Sequence, residues 1–215
     1  MTKIDVFKNA LADMRAEGFN PYPKCLRLQV PQAREILAAG LRYYLGDDAK
    51  WLPCYDVANA VREGCDSTML SGETAAGKYP ETCVYYMANI QKRMMPEMDY
   101  EKLFNNAVEG HDDTFVSAFA MDAAKMAMEY KNVAAIITIG GKDMARAVSK
   151  FRPAAPIIAT VPQTRDARAL ALNYAVYPVL GNEKDAISFI NKNIEDVKGK
   201  VAIVVSEDSI KIVNL

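Results

Sequence analysis

The chain has 215 residues, of which 51% are hydrophobic, so it is long enough to bury a core without help from metals or disulfides. Lys and Arg total 26 and Asp and Glu total 27, which gives a net charge of -1. This balance argues against nucleic-acid and membrane-surface partners, because both require an excess of positive charge. The four cysteines form no CxxC pair and there is one histidine, so no metal site is expected.

The N-terminal stretch MTKIDVFKNALADMRAEG is interrupted by charges throughout, unlike a secretory signal. No segment reaches the roughly 18 uncharged apolar residues that a membrane span needs. We therefore expect a cytoplasmic protein with reduced thiols.

Residues 1–55 give the weakest pattern. Helices are predicted over 7–14 and 33–45, but prolines divide the rest, and the run 26–30 offers at most one strand.

Residues 56–95 form a separate predicted unit. A helix over 57–63 ends at Gly64, a strand follows at 67–70, and the loop 71–74 leads to a helix over 80–94. This helix-strand-loop-helix order is typical of one fragment of a βα barrel. With a linker near residues 94–97, the predicted domains are a truncated barrel remnant over 1–95 and an α/β domain over 96–215.

The second half of the chain alternates short apolar runs with amphipathic segments. Strands are predicted at 133–139, 157–161, 175–180 and 201–205, with helices over 114–130 and from 142, 164 and 184. Uncharged strands separated by helices indicate a parallel sheet covered on both faces. The short connection 206–208 permits only an antiparallel hairpin to a last strand at 209–214. The predicted fold class is therefore α/β: a parallel sheet sandwiched by helices, with an antiparallel C-terminal edge strand, preceded by a remnant of a βα barrel.

Residues 56–80, DVANAVREGCDSTMLSGETAAGKYP, resemble the last helix, strand and loop of the pyruvate kinase barrel. Downstream, TIGGK at 138–142 resembles the family's effector phosphate loop, and FRPAAPII at 151–158 resembles its arginine-proline lead-in to a strand. Tyr177-Pro178-Val179 resembles the next strand of the family. The resemblance covers about residues 56–215 and implies the end of the catalytic barrel followed by the C-terminal regulatory domain. It also implies glycolytic phosphoryl transfer from phosphoenolpyruvate to ADP, with magnesium and potassium as cofactors.

The residues that bind phosphoenolpyruvate and the metal ions in the family have no counterpart in the sequence. The family binds phosphoenolpyruvate and two metal ions through a lysine, a glutamate and an aspartate in motifs resembling TKIEN and ARGDLG, and neither motif occurs here. Phosphoryl transfer depends almost entirely on positioning and on stabilisation by cations and metal. We therefore expect the isolated chain to be inactive and to need no cofactor alone.

Ser71 and Glu73 match residues that the family places at the C-terminal rim of the barrel, in the network that delivers a proton to the enolate. The alternative is that the Ser71-Gly72-Glu73-Thr74 turn survives only as structure. Because the metal ligands are missing, we interpret both residues as family remnants first and functional residues second.

A strand-to-helix turn at 138–143 is the second candidate site. Its amides, a lysine and a hydroxyl could hold a phosphate, and the resemblance implies the phosphate of a sugar bisphosphate; the candidate residues are Thr138, Gly140, Gly141 and Lys142. Gly140 and Asp143 stand where the family usually has hydroxyls, and the acidic connection 206–208 also opposes a phosphate. A purely structural turn capped by Asp143 is the favoured interpretation. His111, the only histidine, is expected to be a solvated or capping residue.

Three functions remain open at this point. The first is a non-catalytic protein that acts in assembly, either as a homo-oligomer or bound to a partner chain that covers the truncated barrel unit. Without such a partner, the edges of the strand at 67–70 and the helix face with Val84, Met87 and Ile90 would be exposed to solvent. The second is one part of a split or truncated kinase, and the third is a sensor of phosphorylated metabolites at the 138–142 turn.

Overall fold

The computed structural model describes residues 54–215, apart from the side chains of 54–56 and Glu73. The helices predicted over 7–14 and 33–45, and the run 26–30, lie outside the described residues. The described chain divides into two compact units, and the boundary between them in the sequence lies between Met98 and Asp99.

The first unit is helical. Helix α1 (Cys54–Arg62) is followed by the short α2 (Gly72–Ala75), by α3 (Pro80–Met94) and by a 3-10 turn (Met95–Glu97). Gly64 ends α1 as predicted, because its φ of 76° is left-handed and its N–H bonds the carbonyl of Val61. Helix α3 also has the predicted bounds.

The strand predicted at residues 67–70 is wrong. These residues have no regular secondary structure, because a strand needs the backbone of a neighbour and the described part of the chain supplies none beside them. Instead, Gln91 Nε2 of α3 donates to Thr68 Oγ1 at 2.6 Å and ties this segment to the helix.

The apolar face of α3 also differs in part from the prediction. Ile90 is buried together with Cys83 and Met94, whereas Val84 is 48% exposed and Met87 is half-buried. Cys83, Ile90 and Met94 recur at helical spacing and form the buried face, and α1 packs against this helix.

The second unit is a five-stranded sheet with helices on both faces, which confirms the predicted fold class of this region. Its elements in chain order are α4 (Tyr100–Glu109), α5 (Phe115–Glu129), β1 (Val133–Thr138), α6 (Gly141–Lys150), β2 (Ile157–Val161), α7 (Thr164–Leu170), β3 (Val176–Leu180), α8 (Glu183–Asn193), β4 (Val201–Val205) and β5 (Ile210–Asn214). The strand order is β3-β2-β1-β4-β5; β1 to β4 are parallel and β5 is antiparallel to β4. Helix α4 is an element that the sequence analysis missed.

The two faces of the sheet carry different helices. One face packs under α4, α5, α6 and α7 through a cluster that includes Ile136, Ile157, Ile203, Phe104 and Phe151. The other face packs under α8 through Ala135, Ile137, Ile158, Ala186 and Ile190. Because β1 and β2 are buried on both faces, they consist almost wholly of apolar residues.

None of the helices in the described ranges is long and apolar enough to cross a membrane.

Replacing Phe151 by alanine should lower the free energy of unfolding by about 3–5 kcal/mol, since the side chain is fully buried and its ring lies 5.8 Å from that of Phe104. The matched control is Phe115→Ala, because Phe115 is 82% exposed and its loss should change stability by less than about 0.5 kcal/mol. Urea unfolding followed by circular dichroism measures both. Equal losses in the two variants would contradict the packing described here.

Candidate functional site

The first candidate site is the turn that begins α2. Ser71 precedes the helix, and its carbonyl accepts hydrogen bonds from the backbone N–H of Ala75 at 2.9 Å and of Thr74 at 3.2 Å. The Thr74 hydroxyl also donates to this carbonyl at 3.2 Å. Glu73 lies in α2, but its side chain is outside the described part of the structure. Hydrogen bonds within the turn itself therefore account for its shape, and the role of Ser71 and Glu73 stays a prediction.

The second candidate site lies where β1 ends and α6 begins, at the carboxyl edge of the sheet. Gly140 and Gly141 have φ values of 114° and 76°, a left-handed backbone that only glycine adopts readily. Ile139 N–H bonds the carbonyl of Val205 at 2.9 Å, which fixes the start of the turn against β4. The predicted strand-turn-helix is therefore present, and the two glycines allow the chain to reverse into the helix.

Thr138 is fully buried at the end of β1, with its hydroxyl inside the unit. Its carbonyl accepts from the Thr160 hydroxyl of β2 at 2.9 Å. Its own hydroxyl makes no hydrogen bond within the described part of the chain. Such an unpaired buried hydroxyl is uncommon and destabilises the fold unless something satisfies it.

The ammonium group of Lys142 already has an acidic neighbour within the sheet unit. Its Nζ lies 3.8 Å from Asp166 Oδ1, in the first turn of α7, and both groups are partly exposed. This contact was missed by the sequence analysis. The signal was available: α6 and α7 follow neighbouring parallel strands, so their first turns lie side by side at the same edge of the sheet.

The turn between β4 and β5 brings a carboxylate to the start of α6. Glu207 Cγ and Oε1 lie 3.6 and 3.7 Å from the position that a Cβ on Gly140 would occupy. Asp143, in the first turn of α6, is exposed nearby in sequence. Two carboxylates therefore lie at the end of the helix where a phosphate would otherwise meet free N–H groups.

Asp208 adds a second negative charge to the turn between β4 and β5. The Ser206 hydroxyl donates to Asp208 Oδ1 at 2.7 Å and is also 2.7 Å from the Ser209 hydroxyl. Hydrogen bonds from Ser206 and then Ser209 hold the pKa of Asp208 below its usual 3.8. The carboxylate is therefore ionised at neutral pH.

His111 and Arg152, which the sequence analysis also singled out, make contacts within the sheet unit. His111 is exposed and its Nδ1 lies 2.6 Å from the carbonyl of Val108 at the end of α4. Arg152, in the predicted arginine-proline lead-in, has a left-handed φ of 51°, and its guanidinium lies 5.0 Å from the centre of the Tyr174 ring. Across residues 54–215, no group of three or more His, Cys, Asp or Glu residues is placed to hold a metal ion.

Two family models match the chain. "Pyruvate kinase, barrel domain" matches residues 53–84, and "Pyruvate kinase, alpha/beta domain" matches residues 117–213. Among curated proteins, the pyruvate kinase of Staphylococcus saprophyticus is 38% identical over 125 residues, which are 58% of this chain and 21% of that protein. The pyruvate kinase of Staphylococcus haemolyticus is 39% identical over the same shares of the two chains.

Solved structures give the same assignment. A crystal structure of a pyruvate kinase from Cryptosporidium parvum superposes with a TM-score of 0.69 at 31% identity, over 74% of this chain and 35% of that chain. A second structure, of the Cryptosporidium parvum enzyme in complex with ADP, gives a TM-score of 0.68 at 28% identity, over 83% of this chain and 39% of that chain. The match spans about a fifth of the length of the curated relatives. In sequence and in fold, the chain belongs to the pyruvate kinase family and covers part of the length of its members.

Proposed function

We propose that this chain has no pyruvate kinase activity by itself and acts in assembly, either with further copies of itself or as a structural subunit of a larger complex. The observation that carries the proposal is the contrast between a well-packed sheet unit and the large apolar side chains left on its surface. The second unit exposes Phe115, Tyr130, Leu172, Tyr177, Leu180 and Ile212.

The lack of catalysis follows from the side chains that the reaction requires. A loose phosphoryl-transfer transition state is stabilised by cations and by metal-bound carboxylates placed around the moving group. The family motifs that supply them do not occur in this sequence, and the described residues include no acidic cluster suited to magnesium. The hydroxyl of Ser71 supplies neither a cation nor the carboxylates that hold the metal.

The assembly role is supported by the first unit as well. Met69 is 85% exposed and Tyr85 is 63% exposed, although both are large apolar or aromatic side chains. Large exposed side chains of this kind on both units favour association, because covering them removes apolar surface from water.

A split kinase is the second candidate, in which this chain completes a catalytic barrel supplied by another chain. The match of residues 53–84 to the barrel model favours it. A co-purifying chain that carries the missing lysine and acidic metal ligands would distinguish it from a non-catalytic subunit.

A sensor of phosphorylated metabolites is the third candidate, and the unpaired Thr138 hydroxyl beside the α6 N-terminus favours it. Against it stand Glu207 beside Gly140 and the contact of Lys142 with Asp166. We propose that these carboxylates leave little affinity for a phosphate.

We predict no turnover by the purified chain in a coupled assay with phosphoenolpyruvate, ADP, magnesium and potassium, because the lysine and the metal carboxylates are absent. The control is the same preparation mixed with a lysate fraction that contains a complete pyruvate kinase. Turnover that survives purification and is abolished by Glu73→Ala would refute the non-catalytic assignment.

Sugar bisphosphates should bind more weakly than millimolar in calorimetry, since Glu207 and Asp143 oppose a second anion at α6. Glu207→Gln should strengthen whatever binding exists, because it removes one charge without changing the shape of the side chain. Submillimolar binding to the unmodified chain that is lost in Lys142→Ala would show that the turn is a functional anion site.

Thr138→Val should leave the free energy of unfolding unchanged or raise it slightly, because it removes a buried hydroxyl that has no partner in the described structure. Thr160→Val is the matched control and should cost about 0.5–1.5 kcal/mol, because it removes the hydrogen bond to the Thr138 carbonyl. Chemical denaturation measures both. A larger loss in Thr138→Val than in Thr160→Val would mean that the Thr138 hydroxyl is satisfied in solution.

A further inference from the structure

Positive charge in the sheet unit is concentrated on two neighbouring helices. Helices α6 and α7 together carry five Lys and Arg residues and two Asp residues, whereas acidic residues outnumber basic ones over the rest of the unit. All the arginines of residues 99–215 lie between positions 146 and 168. A chain with a net charge of -1 therefore has one strongly basic surface, which its overall composition does not reveal.

Packing places α6 and α7 side by side on the same face of the sheet. Arg146 Nη2 of α6 donates to the carbonyl of Ala169, in the last turn of α7, at 3.3 Å. Arg146 therefore lies at the same end of α7 as Arg168. Arg165 and Arg168 are three positions apart on α7, a spacing that places both side chains on one side of a helix, and all three arginines are exposed. We call this surface, together with Leu172, the arginine face.

The basic side chains of these helices differ in how many partners they have within the unit. Lys150 Nζ donates to the carbonyl of Gly110 at 2.7 Å, so its ammonium group is already bound. Arg146 makes one hydrogen bond in the described part of the chain, to the carbonyl at the end of α7. Arg165 and Arg168 make no hydrogen bond or ion pair with any other described residue. Because each guanidinium group has five N–H donors, the three arginines retain most of theirs for a partner.

An exposed leucine adjoins the arginines. Leu172 is 73% exposed in the turn that follows α7. Two backbone bonds fix this turn, from Ala171 N–H to the carbonyl of Arg168 and from Asn173 N–H to the carbonyl of Leu170. Residues 165, 168 and 172 have the i, i+3, i+7 spacing of one side of a helix, so an apolar side chain follows the two unpaired arginines at helical spacing.

We propose that the arginine face binds an acidic segment of a partner protein, whose carboxylates pair with Arg146, Arg165 and Arg168 and whose apolar side chain covers Leu172. A guanidinium group is a planar fork that matches a carboxylate through two parallel hydrogen bonds. Because Arg165 and Arg168 are neighbours on one helix, the matching partner is a helix with carboxylates at i and i+3 and an apolar residue one turn later. The inference rests on the proposed assembly function and names a surface and a partner chemistry for it.

A nucleic acid fits the arginine face less well than an acidic protein does. A phosphate backbone is held by many contacts along an extended basic surface, and here Asp143 and Asp166 interrupt the basic residues. A phosphate backbone also leaves Leu172 in water, whereas an apolar side chain of a protein segment removes it from water. An acidic protein segment is therefore the partner that uses every exposed group of the face.

The test is the binding of a synthetic helical peptide to the full chain, measured by fluorescence anisotropy. The peptide carries Glu at positions i and i+3 and Leu at i+7, and it is compared with the same peptide carrying Gln for Glu and with double-stranded DNA of equal net charge. The Glu peptide should bind more tightly than either. Its affinity should fall roughly tenfold or more in Arg165→Glu/Arg168→Glu, because carboxylates then face carboxylates. Leu172→Asn should also weaken the binding of the peptide, and it should leave that of DNA unchanged.

The matched control is Lys192→Glu/Lys198→Glu, which changes the net charge equally at exposed positions in and after α8, on the other face of the sheet. This variant should bind the peptide as the unmodified chain does, and an equal loss in it would overturn the proposal. Arg165→Gln/Arg168→Gln replaces the charge reversal if that variant fails to fold. DNA that binds more tightly than the peptide would overturn the acidic-protein assignment. An assembled chain in light scattering that binds no peptide would overturn the arginine face and leave the assembly function standing, whereas a strict monomer that binds none would remove both.

Discussion

The burial of the central strands on both faces is the constraint on which the rest of the sheet unit depends. β1 and β2 have helices above and below them, so their side chains are apolar at nearly every position, and their backbone groups must pair with parallel neighbours. Parallel neighbours require crossovers, and each crossover here begins its helix at the carboxyl edge of the sheet. The turns that carry Gly140, Lys142 and Asp166 are therefore gathered at one edge because of packing, whatever their chemistry.

This constraint also explains how much of the fold could be predicted from the sequence. The runs 133–137 and Val201–Val205 are uninterrupted apolar segments, a pattern and length typical of strands buried on both faces. Helix α4 was missed although its apolar residues recur at helical spacing, at positions 100, 103, 104, 107 and 108. Its signal was the cap: Asp99 accepts a hydrogen bond from the N–H of Lys102, and an aspartate before a short amphipathic run predicts a helix start.

The wrong strand at residues 67–70 shows the limit of the same reasoning. A short run that includes Met69 and Leu70 resembles a strand locally, but a strand exists only where a neighbour offers hydrogen bonds, and sequence pattern does not reveal that neighbour.

The same limit applies to the candidate sites. The turn at Gly140 and Gly141 could be predicted, because its left-handed backbone requires glycine locally. The approach of Glu207 to Gly140 could not, because it depends on the position of the β4–β5 turn in the folded unit. Contacts between distant segments of this kind need the three-dimensional structure.

The charges at the carboxyl edge of the sheet bear on whether an anion could bind at the start of α6. In favour of an anion are the N-terminus of α6, equivalent to about half a positive charge, and the ammonium group of Lys142. Against it are the carboxylates of Asp143 and Glu207, and Asp166 already lies 3.8 Å from that ammonium group. The negative charges outnumber the positive ones even before a phosphate with its own charge arrives. The geometry of the helix start therefore explains the glycine turn without a bound anion.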